Sequence, residues 1–355
     1  MKRMKPLLIL LIVLATSVVR AQDVHFSQFA MSPMMLNPAL SGFSSGDIRM
    51  YANFRTQWNT VAGSGAYRTF AGGLDAALGK ATKFSSFAGL GVSFFSDQAG
   101  TAGFQTNRVD LTFAYHFVLS KRHNTSLSFG IQGAFNHRGF DPSKSTYDSY
   151  YDPTTGTSSS TNGTQEQFTR TKVYFGDVGI GTFFSTTIKK RTDLYFGLSF
   201  NHLNQPSISF FATGNNNTAA DKLYMKTTLH GGVSAPVSDK VWIIPNFFVM
   251  IQGPAQQYNI GTHVKMQLGS KAMSRTFLSL GLQARIAKGL ETPMGDAVIV
   301  QTRLDYKAFT LGLSYDINVS KLRTASSTFG APEVALMYTI TTKHKPRAVF
   351  CPFMM

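Results

Sequence analysis

The stretch Leu278-Ser279-Leu280-Gly281-Leu282-Gln283-Ala284-Arg285 alternates an apolar residue with a small, polar or charged one. A β-strand points successive side chains to opposite faces, so this stretch predicts one apolar face and one polar face. The same alternation recurs at 194–200 and 309–317. Repeated down a chain, such strands are typical of a barrel in an outer membrane, with its apolar face toward lipid. The sequence therefore predicts an all-β fold, a transmembrane antiparallel β-barrel.

About fourteen strands can be placed in this way, an even number that single-chain outer-membrane barrels require. They lie near 47–56, 66–76, 86–96, 105–119, 124–136, 170–186, 192–204, 222–235, 240–252, 257–268, 275–287, 296–305, 307–318 and 331–342. Short basic connections at 120–123 and 187–191 alternate with long polar ones at 140–168 and 206–221. This asymmetry predicts short periplasmic turns and long outer loops.

Residues 1–21 have the features of a secretory signal. A positive start at 2–5 precedes an apolar stretch at 7–19, and the small residues Val19 and Ala21 suit cleavage after Ala21. The apolar stretch is shorter than the roughly 20 residues that a transmembrane helix needs. The sequence thus predicts an exported protein of the outer membrane.

Three further segments follow the predicted signal. Residues 22–46 contain two prolines and lack the alternation, and we expect them to plug the lumen or to dock a partner, with a simple cap on the barrel as the alternative. The barrel is predicted over 47–342, and a tail over 343–355.

Glycine pairs such as Gly89/Gly91 and Gly179/Gly181 are expected to ease strand curvature or to leave room in the lumen.

Composition limits the classes of partner. The chain has 34 basic and 18 acidic residues, a net charge of +16, but the basic residues are scattered rather than clustered. Lipopolysaccharide phosphates or an acidic partner fit this distribution better than nucleic acid. Charged residues make up 15% of the chain, against about 25% in soluble domains, which argues against a soluble β-sandwich or propeller.

Catalytic and metal-binding patterns are weak. No Gly-x-Ser-x-Gly motif occurs, the eight histidines are dispersed, and His116 and His202 are expected to make hydrogen bonds at the interface or in the lumen. Asp141, Asp148 and Asp152 lack the spacing of a calcium loop, and Cys351 is the single cysteine. The sequence predicts no catalytic residue, no cofactor and no metal site.

A series of motifs in order along the chain carries a family resemblance. They are Gln22-Asp23-Val24-His25-Phe26-Ser27-Gln28-Phe29, Leu36-Asn37-Pro38-Ala39-Leu40-Ser41-Gly42, Phe54-Arg55-Thr56-Gln57-Trp58, the stretches 89–100, 111–116 and 197–206, Leu311 to Leu322, and Pro332-Glu333-Val334-Ala335-Leu336. The set resembles the PorP/SprF family of outer-membrane proteins of type IX secretion in Bacteroidota. The resemblance implies a non-catalytic barrel, similar to fatty-acid-transporter-like barrels, that helps to export or anchor cell-surface proteins such as gliding adhesins. It also implies contacts with periplasmic components of the secretion system.

Nine residues are candidates for partner contacts, chosen from the N-terminal motifs and from the long loops. They are Asn37, Pro38, Trp58, Tyr147, Tyr150, Tyr151, Asn215, Asn216 and Asn217. Tyrosine is favoured at protein interfaces, so the three tyrosines of the first long loop are interpreted either as a protein-contact surface or, equally, as a plug folded into the barrel. An outer-membrane diffusion channel or hydrophobic-solute transporter is the alternative function, and an enzyme is a third.

Overall fold

The computed structural model of the protein describes residue 23 and residues 25–79, 85–144, 151–152, 157–158, 170–189, 191–210, 222–269, 276–288, 294–320 and 328–341. Within these residues, fourteen strands form one closed barrel. The strands are β1 Ile48–Gln57, β2 Tyr67–Leu78, β3 Phe87–Ala99, β4 Phe104–Ser120, β5 Thr125–Gly139, β6 Lys172–Lys189, β7 Thr192–Asn201, β8 Lys226–Pro236, β9 Val241–Gln252, β10 Ala255–Leu268, β11 Thr276–Lys288, β12 Met294–Tyr306, β13 Phe309–Asn318 and β14 Ala331–Ile340. Each corresponds to one predicted strand, so the predicted fold class is confirmed.

Every strand pairs antiparallel with its neighbours in sequence, and β1 also pairs with β14. Arg49 of β1, for example, lies opposite Asp75 of β2 on one side and opposite Thr339 of β14 on the other. Closure leaves no strand edge without a hydrogen-bond partner, which is the condition for a sheet to cross a bilayer.

The side chains are arranged with apolar groups outside and polar groups inside. On β11, Leu280 and Leu282 are exposed, whereas Gln283 and Arg285 are buried. A soluble sandwich has the opposite arrangement, since its apolar face forms the core. The exposed leucines therefore form part of a surface that suits lipid rather than water.

The connections differ between the two ends of the barrel. Four residues separate β4 from β5 and two separate β6 from β7, whereas β5 and β6, and β7 and β8, are joined by much longer segments at the opposite end. The first long segment contains a two-stranded ribbon, Tyr151–Asp152 with Thr157–Ser158. We call the two ends the short-turn end and the loop end.

Short helices lie before and between the strands. They are the 3-10 helix Phe29–Met31, the α-helix α1 Pro33–Leu36, the 3-10 helix Pro38–Leu40, the α-helix α2 Asn59–Ala62, and the 3-10 helices Gly63–Gly65 and Pro142–Lys144. In the described part of the chain, no helix has the length and apolarity needed to span a membrane. The residues before β1, 25–46, fold back inside the barrel, and we call them the lumenal segment.

Candidate functional site

The lumenal segment forms three consecutive short helical turns inside the barrel. Pro33 and Pro38 stand in the first turns of α1 and of the following 3-10 helix. Proline is tolerated there because its missing N–H would have had no partner within the helix. The two prolines therefore fit the starts of these short helices without loss of a backbone hydrogen bond.

Apolar side chains of this segment pack against aromatic residues of the wall. Phe29 stacks on Phe248 of β9 with ring centroids 5.1 Å apart, and Phe43 contacts the edge of Phe183 of β6, also at 5.1 Å. Leu40 and the wall residue Phe87 are buried in the same cluster. The barrel interior at this level is a packed core.

Asn37 joins the segment to three strands of the wall. Its side-chain oxygen accepts a hydrogen bond from the Ala39 amide at 2.9 Å and thereby caps the 3-10 helix. Its amide nitrogen donates to the Thr182 carbonyl of β6 at 2.8 Å and lies 3.4 Å from the Leu198 carbonyl of β7 and 3.2 Å from Nε2 of His230 of β8. The Asn37 side chain is fully buried.

Glycines on the inner face of the wall make room for the segment. A Cβ atom added at any of four such positions would overlap atoms of the lumenal segment. The overlaps would be with Ser41 at Gly89, Pro38 at Gly130, Asn37 at Gly181 and Gln28 at Gly312. The absence of a side chain is therefore a packing requirement at these positions, consistent with the predicted role of such glycines in leaving room in the lumen.

Buried ion pairs hold the start of the segment. Asp316 of β13 pairs with Arg55 of β1 at 2.8 Å and with Arg285 of β11 at 2.7 Å, and it accepts a hydrogen bond from the Ser27 hydroxyl at 2.7 Å. Glu333 of β14 accepts the backbone amide of Ser27 at 2.8 Å. Charges this deeply buried require partners, and here the partners include atoms of the lumenal segment itself.

The end of the lumenal segment is held by Arg49 of β1 and Asp75 of β2, which lie opposite each other in the sheet. Arg49 donates to the Leu40 carbonyl at 2.8 Å, and Asp75 accepts the Gly42 amide at 2.6 Å. His116 of β4 lies with Nε2 2.8 Å from the Ser41 carbonyl and Nδ1 2.7 Å from the Ser128 hydroxyl. His116 therefore acts here as a hydrogen-bonding residue of the lumen.

A second histidine binds Asp23, just ahead of the lumenal segment. His202 lies 2.7 Å from carboxylates of both Asp23 and Asp177, and Lys226 donates to Asp23 at 3.1 Å. Both His202, which follows β7, and Asp23 lie outside the strands. Burial lowers the pKa of His202, but the Asp23 carboxylate and the hydrogen bond to Asp177 outweigh it, so the pKa is above the usual histidine value.

The pKa of Asp23 moves in the complementary direction. Burial raises the pKa of this carboxyl, but the charges of Lys226 and His202 outweigh that effect and hold the pKa well below its usual value. The contact is thus an ion pair between an aspartate and an imidazolium. Among the residues whose positions are described, no three His, Cys, Asp or Glu side chains are grouped so that they could hold a metal ion.

A cavity of about 860 Å³ lies at the loop end. Its wall includes the apolar or aromatic side chains of Trp58, Tyr67, Phe95, Phe104, Leu223 and Tyr224. It also includes the basic residues Arg55, Arg108, Arg138, Lys222 and Lys226 and the acidic residues Asp23, Asp97 and Asp110. The volume falls within the range of small-molecule sites.

The structure separates the nine candidate residues. Asn37 and Pro38 are buried between the lumenal segment and the wall, whereas Trp58 lines the loop-end cavity. Tyr151 belongs to the two-stranded ribbon. Tyr147, Tyr150 and Asn215 to Asn217 lie outside the described residues. For all nine, a role in partner contacts stays a prediction.

Sequence reasoning missed the residues that hold the lumenal segment. Arg49, Arg55, Asp75, Asp316 and Glu333 are all nearly fully buried inside the barrel. The available signal was a charge on the inward-facing side of a predicted strand, as at Asp316 in the alternation of 309–317. That signal gives the face of each side chain but not its partner.

These features define a class of protein: an outer-membrane β-barrel with an ordered N-terminal segment bound inside its lumen. The chain belongs to the PorP/SprF family of type IX secretion system membrane proteins, whose family model matches residues 18–338. The resemblance carried by the sequence motifs is thereby confirmed. A comparison with curated proteins found no match.

Solved structures with a similar fold and low sequence identity include two hydrocarbon channels or transporters. The CymD monoaromatic hydrocarbon channel shares 10% identity, with a TM-score of 0.49 over 88% of this chain and 94% of that one. The P. putida toluene transporter TodX also shares 10% identity, with a TM-score of 0.43 over 90% of this chain and 95% of that one. These likenesses carry no argument about what this protein transports or binds.

Proposed function

We propose that this protein is a non-catalytic outer-membrane component of type IX secretion that supports export or cell-surface anchoring of a particular partner, such as a gliding adhesin. Membership of the PorP/SprF family supports a role in type IX secretion. The lumenal segment is the physical reason to propose a role based on protein contacts. A barrel filled by an ordered segment is suited to protein contacts at its two ends rather than to free diffusion through its middle.

The observation that carries this proposal is that the segment bonds to opposite sides of the barrel. Ser27 is held by β13 and β14, whereas Asn37 is held by β6 and β7. In a closed barrel of fourteen strands, these pairs lie about half a circumference apart. A segment fixed at both sides acts as a plug across the lumen.

The two ends of the barrel suit different partners. At the loop end, the connections 139–169 and 206–221, with Tyr147, Tyr150, Tyr151 and Asn215 to Asn217, would contact the secreted protein. At the short-turn end, the exposed basic residues Lys121, Arg122, Lys240 and Lys307 suit acidic surfaces of periplasmic secretion components. Membrane lipid and lipopolysaccharide would surround the barrel, after cleavage of the signal near Ala21.

A channel or hydrophobic-solute transporter is the second candidate, because the loop-end cavity has apolar walls and a volume of about 860 Å³. On that reading, solute would enter at the loops and pass the lumenal segment only after the segment had moved. Each of the contacts of Ser27, Asn37, Gly42 and Asp316 described above opposes such movement.

Deletion of the gene, followed by quantitative mass spectrometry of surface and medium proteins, tests the proposal. We expect one or a few large surface proteins to be lost, with other secreted proteins unchanged, and we expect the gene supplied in trans to restore them. Because the proposal assigns no catalysis, single Ser→Ala or His→Ala variants should also restore them. Unchanged surface and medium proteins would rule the proposal out, and solute uptake would become the next assay.

A further inference from the structure

The loop-end cavity contains hydrogen-bond donors that nothing in the described structure uses. The amide nitrogen of Asn136 and Nε of Arg138, both on β5, are buried and have no hydrogen-bond partner among the described residues. Both residues line the cavity, and Asn136 is only 3% exposed. A buried donor without an acceptor is costly, so these atoms favour a ligand that accepts hydrogen bonds.

The two donors are close enough to act together. Asn136 and Arg138 are two positions apart on one strand and so point to the same side, about 7 Å apart along the strand. A carboxylate has two oxygens and room for about four hydrogen bonds, which suits one amide donor and one guanidinium donor. Arg138 also supplies the positive charge, since its one ion-pair partner in the described structure, Asp23, is 3.8 Å away.

Carboxylates that line the cavity are themselves occupied. Asp110 pairs with Arg108, Asp23 pairs with Lys226 at 3.1 Å, and Asp97 accepts the Thr69 hydroxyl at 2.7 Å. The wall as a whole has five basic and three acidic side chains. Three of the basic side chains are paired in turn, Arg55 with Asp316, Arg108 with Asp110 and Lys226 with Asp23. Arg138, whose contact with Asp23 is 3.8 Å long, and Lys222 are the remaining basic side chains of the wall, and their charge favours an anion over a cation.

An apolar surface lies next to these donors. Phe95 of β3 is the register partner of Arg108 of β4, which is in turn the register partner of Asn136. Phe95 thus lies two strands, or about 10 Å, from Asn136 on the same inner face. Trp58 and Phe104 line the same cavity. A ligand reaching from Asn136 to Phe95 needs an acidic group joined to an apolar or aromatic one.

We propose that the loop-end cavity binds a carboxylate attached to an apolar or aromatic group, with the carboxylate at Asn136 and Arg138 and the apolar part against Phe95 and Trp58. Two sources share this chemistry: an acidic residue beside an aromatic residue in a polypeptide, and a free small acid. The proposal is independent of the secretion function, because binding is measured on the purified barrel.

Trp58 provides the readout. The chain has two tryptophans, and Trp242 lies near the start of β9 at the short-turn end, far from the cavity. In the full-length Trp242→Phe protein, refolded in lipid vesicles, tryptophan emission then reports on the cavity alone. The probes are N-acetyl-Asp-Phe-amide and phenylacetate, and the matched neutral controls are N-acetyl-Asn-Phe-amide and phenylacetamide.

Asn136→Leu in the Trp242→Phe background tests the donor. It replaces a side chain whose buried amide nitrogen has no partner among the described residues by an apolar group of similar size, a change that is close to neutral for folding. Arg138→Met is a second variant that removes the charge and keeps an unbranched apolar side chain in place of the arginine stem. Asn259→Leu is the control, because Asn259 is 1% exposed and its amide nitrogen also lacks a partner within the described residues, yet it does not line this cavity.

We expect a saturable change in Trp58 emission with at least one of the two acids and little change with the amides. The affinity should fall about tenfold or more in Asn136→Leu and in Arg138→Met, and it should be unchanged in Asn259→Leu. A response to the peptide supports a polypeptide source, and a response to phenylacetate alone supports a free acid. No saturable response to either acid, equal responses to acids and amides, or unchanged affinity in both cavity variants would overturn the proposal.

Discussion

Arg49 and Asp75 face each other across β1 and β2 and form a two-pronged ion pair, with Nε and one terminal nitrogen of the guanidinium each 2.8 Å from a carboxylate oxygen. Both side chains are at most 1% exposed. The same two groups hold the backbone of the lumenal segment at Leu40 and Gly42. This buried pair of charges is therefore one of the connections between the barrel wall and the lumenal segment.

Asp75→Asn should destabilise the barrel strongly. The substitution removes the carboxylate that accepts hydrogen bonds from two nitrogens of the buried Arg49 guanidinium, and the loss of one partner from a buried pair costs about 3–5 kcal/mol. The measurement is the free energy of unfolding in denaturant, followed by tryptophan fluorescence in lipid vesicles. Asp239→Asn is the matched control, because Asp239 is exposed and pairs with Arg191 at 3.5 Å. Equal stability of the two variants would contradict the account.

Gly181→Val should displace the lumenal segment. A Cβ at Gly181 would overlap the Asn37 side chain, and valine adds two further methyl groups to that collision. We expect protease added to the folded protein to cleave the segment faster in this variant than in the wild type. Gly133→Val is the control, since a Cβ at Gly133 meets nothing within 4 Å. Equal cleavage of both variants would show that the segment does not depend on this close contact.

The contact between Asp23 and His202 should weaken at high pH. The pKa of His202 is raised by its carboxylate partners, so its contribution is complete below the ordinary histidine pKa of about 6.5 and is lost as pH rises through the raised value. The pKa of Asp23 is lowered, so its contribution is present above about pH 4 and is lost as pH falls through the lowered value. The contact between Asp23 and His202 is therefore strongest between about pH 4 and 6.5.

Protease cleavage near residue 23, followed from pH 5 to pH 9, measures this dependence. We expect cleavage to accelerate at the alkaline end of this range after correction for the activity of the protease on an unfolded substrate. His202→Gln should remove the acceleration and cleave quickly throughout, since a neutral amide cannot gain or lose the charge. A flat profile in the wild type would count against the ion pair.

Replacing an outward-facing leucine by a charged residue should destabilise the barrel more when the leucine lies deeper in the bilayer. Leu282, in the middle of β11, is 57% exposed, and Leu119, at the short-turn end of β4, is 60% exposed. Leu282→Arg should cost about 2–4 kcal/mol in a bilayer, whereas Leu119→Arg should cost about 0–1 kcal/mol. Unfolding in vesicles compares the two variants. If Leu119→Arg is the more damaging, the bilayer lies elsewhere on the barrel.

Alternation was sufficient to predict the wall of the barrel. A period of two residues is a local property, so Leu280, Leu282, Gln283 and Arg285 could be assigned to their faces from the sequence alone. The difference between short and long connections predicted which connections lie together at each end of the barrel. Both signals are independent of which distant residues meet.

The contacts inside the lumen could not be predicted in the same way. Asn37 and Thr182 are 145 residues apart, and Ser27 and Asp316 are 289 apart. The segment 22–46 has no periodicity, because its short helical turns each bury different sides against different strands. The prolines and the lack of alternation indicated an unusual segment, but only the three-dimensional arrangement gives its partners.

The most direct test of a plugged barrel is its conductance in planar lipid bilayers. We expect the wild-type protein to show no sustained open state, because the lumenal segment is fixed to opposite sides of the wall by Ser27 and Asn37. A variant lacking residues 23–44, or Gly181→Val if that deletion does not fold, should show discrete open states. A wild-type protein that conducts as strongly as these variants would contradict the account.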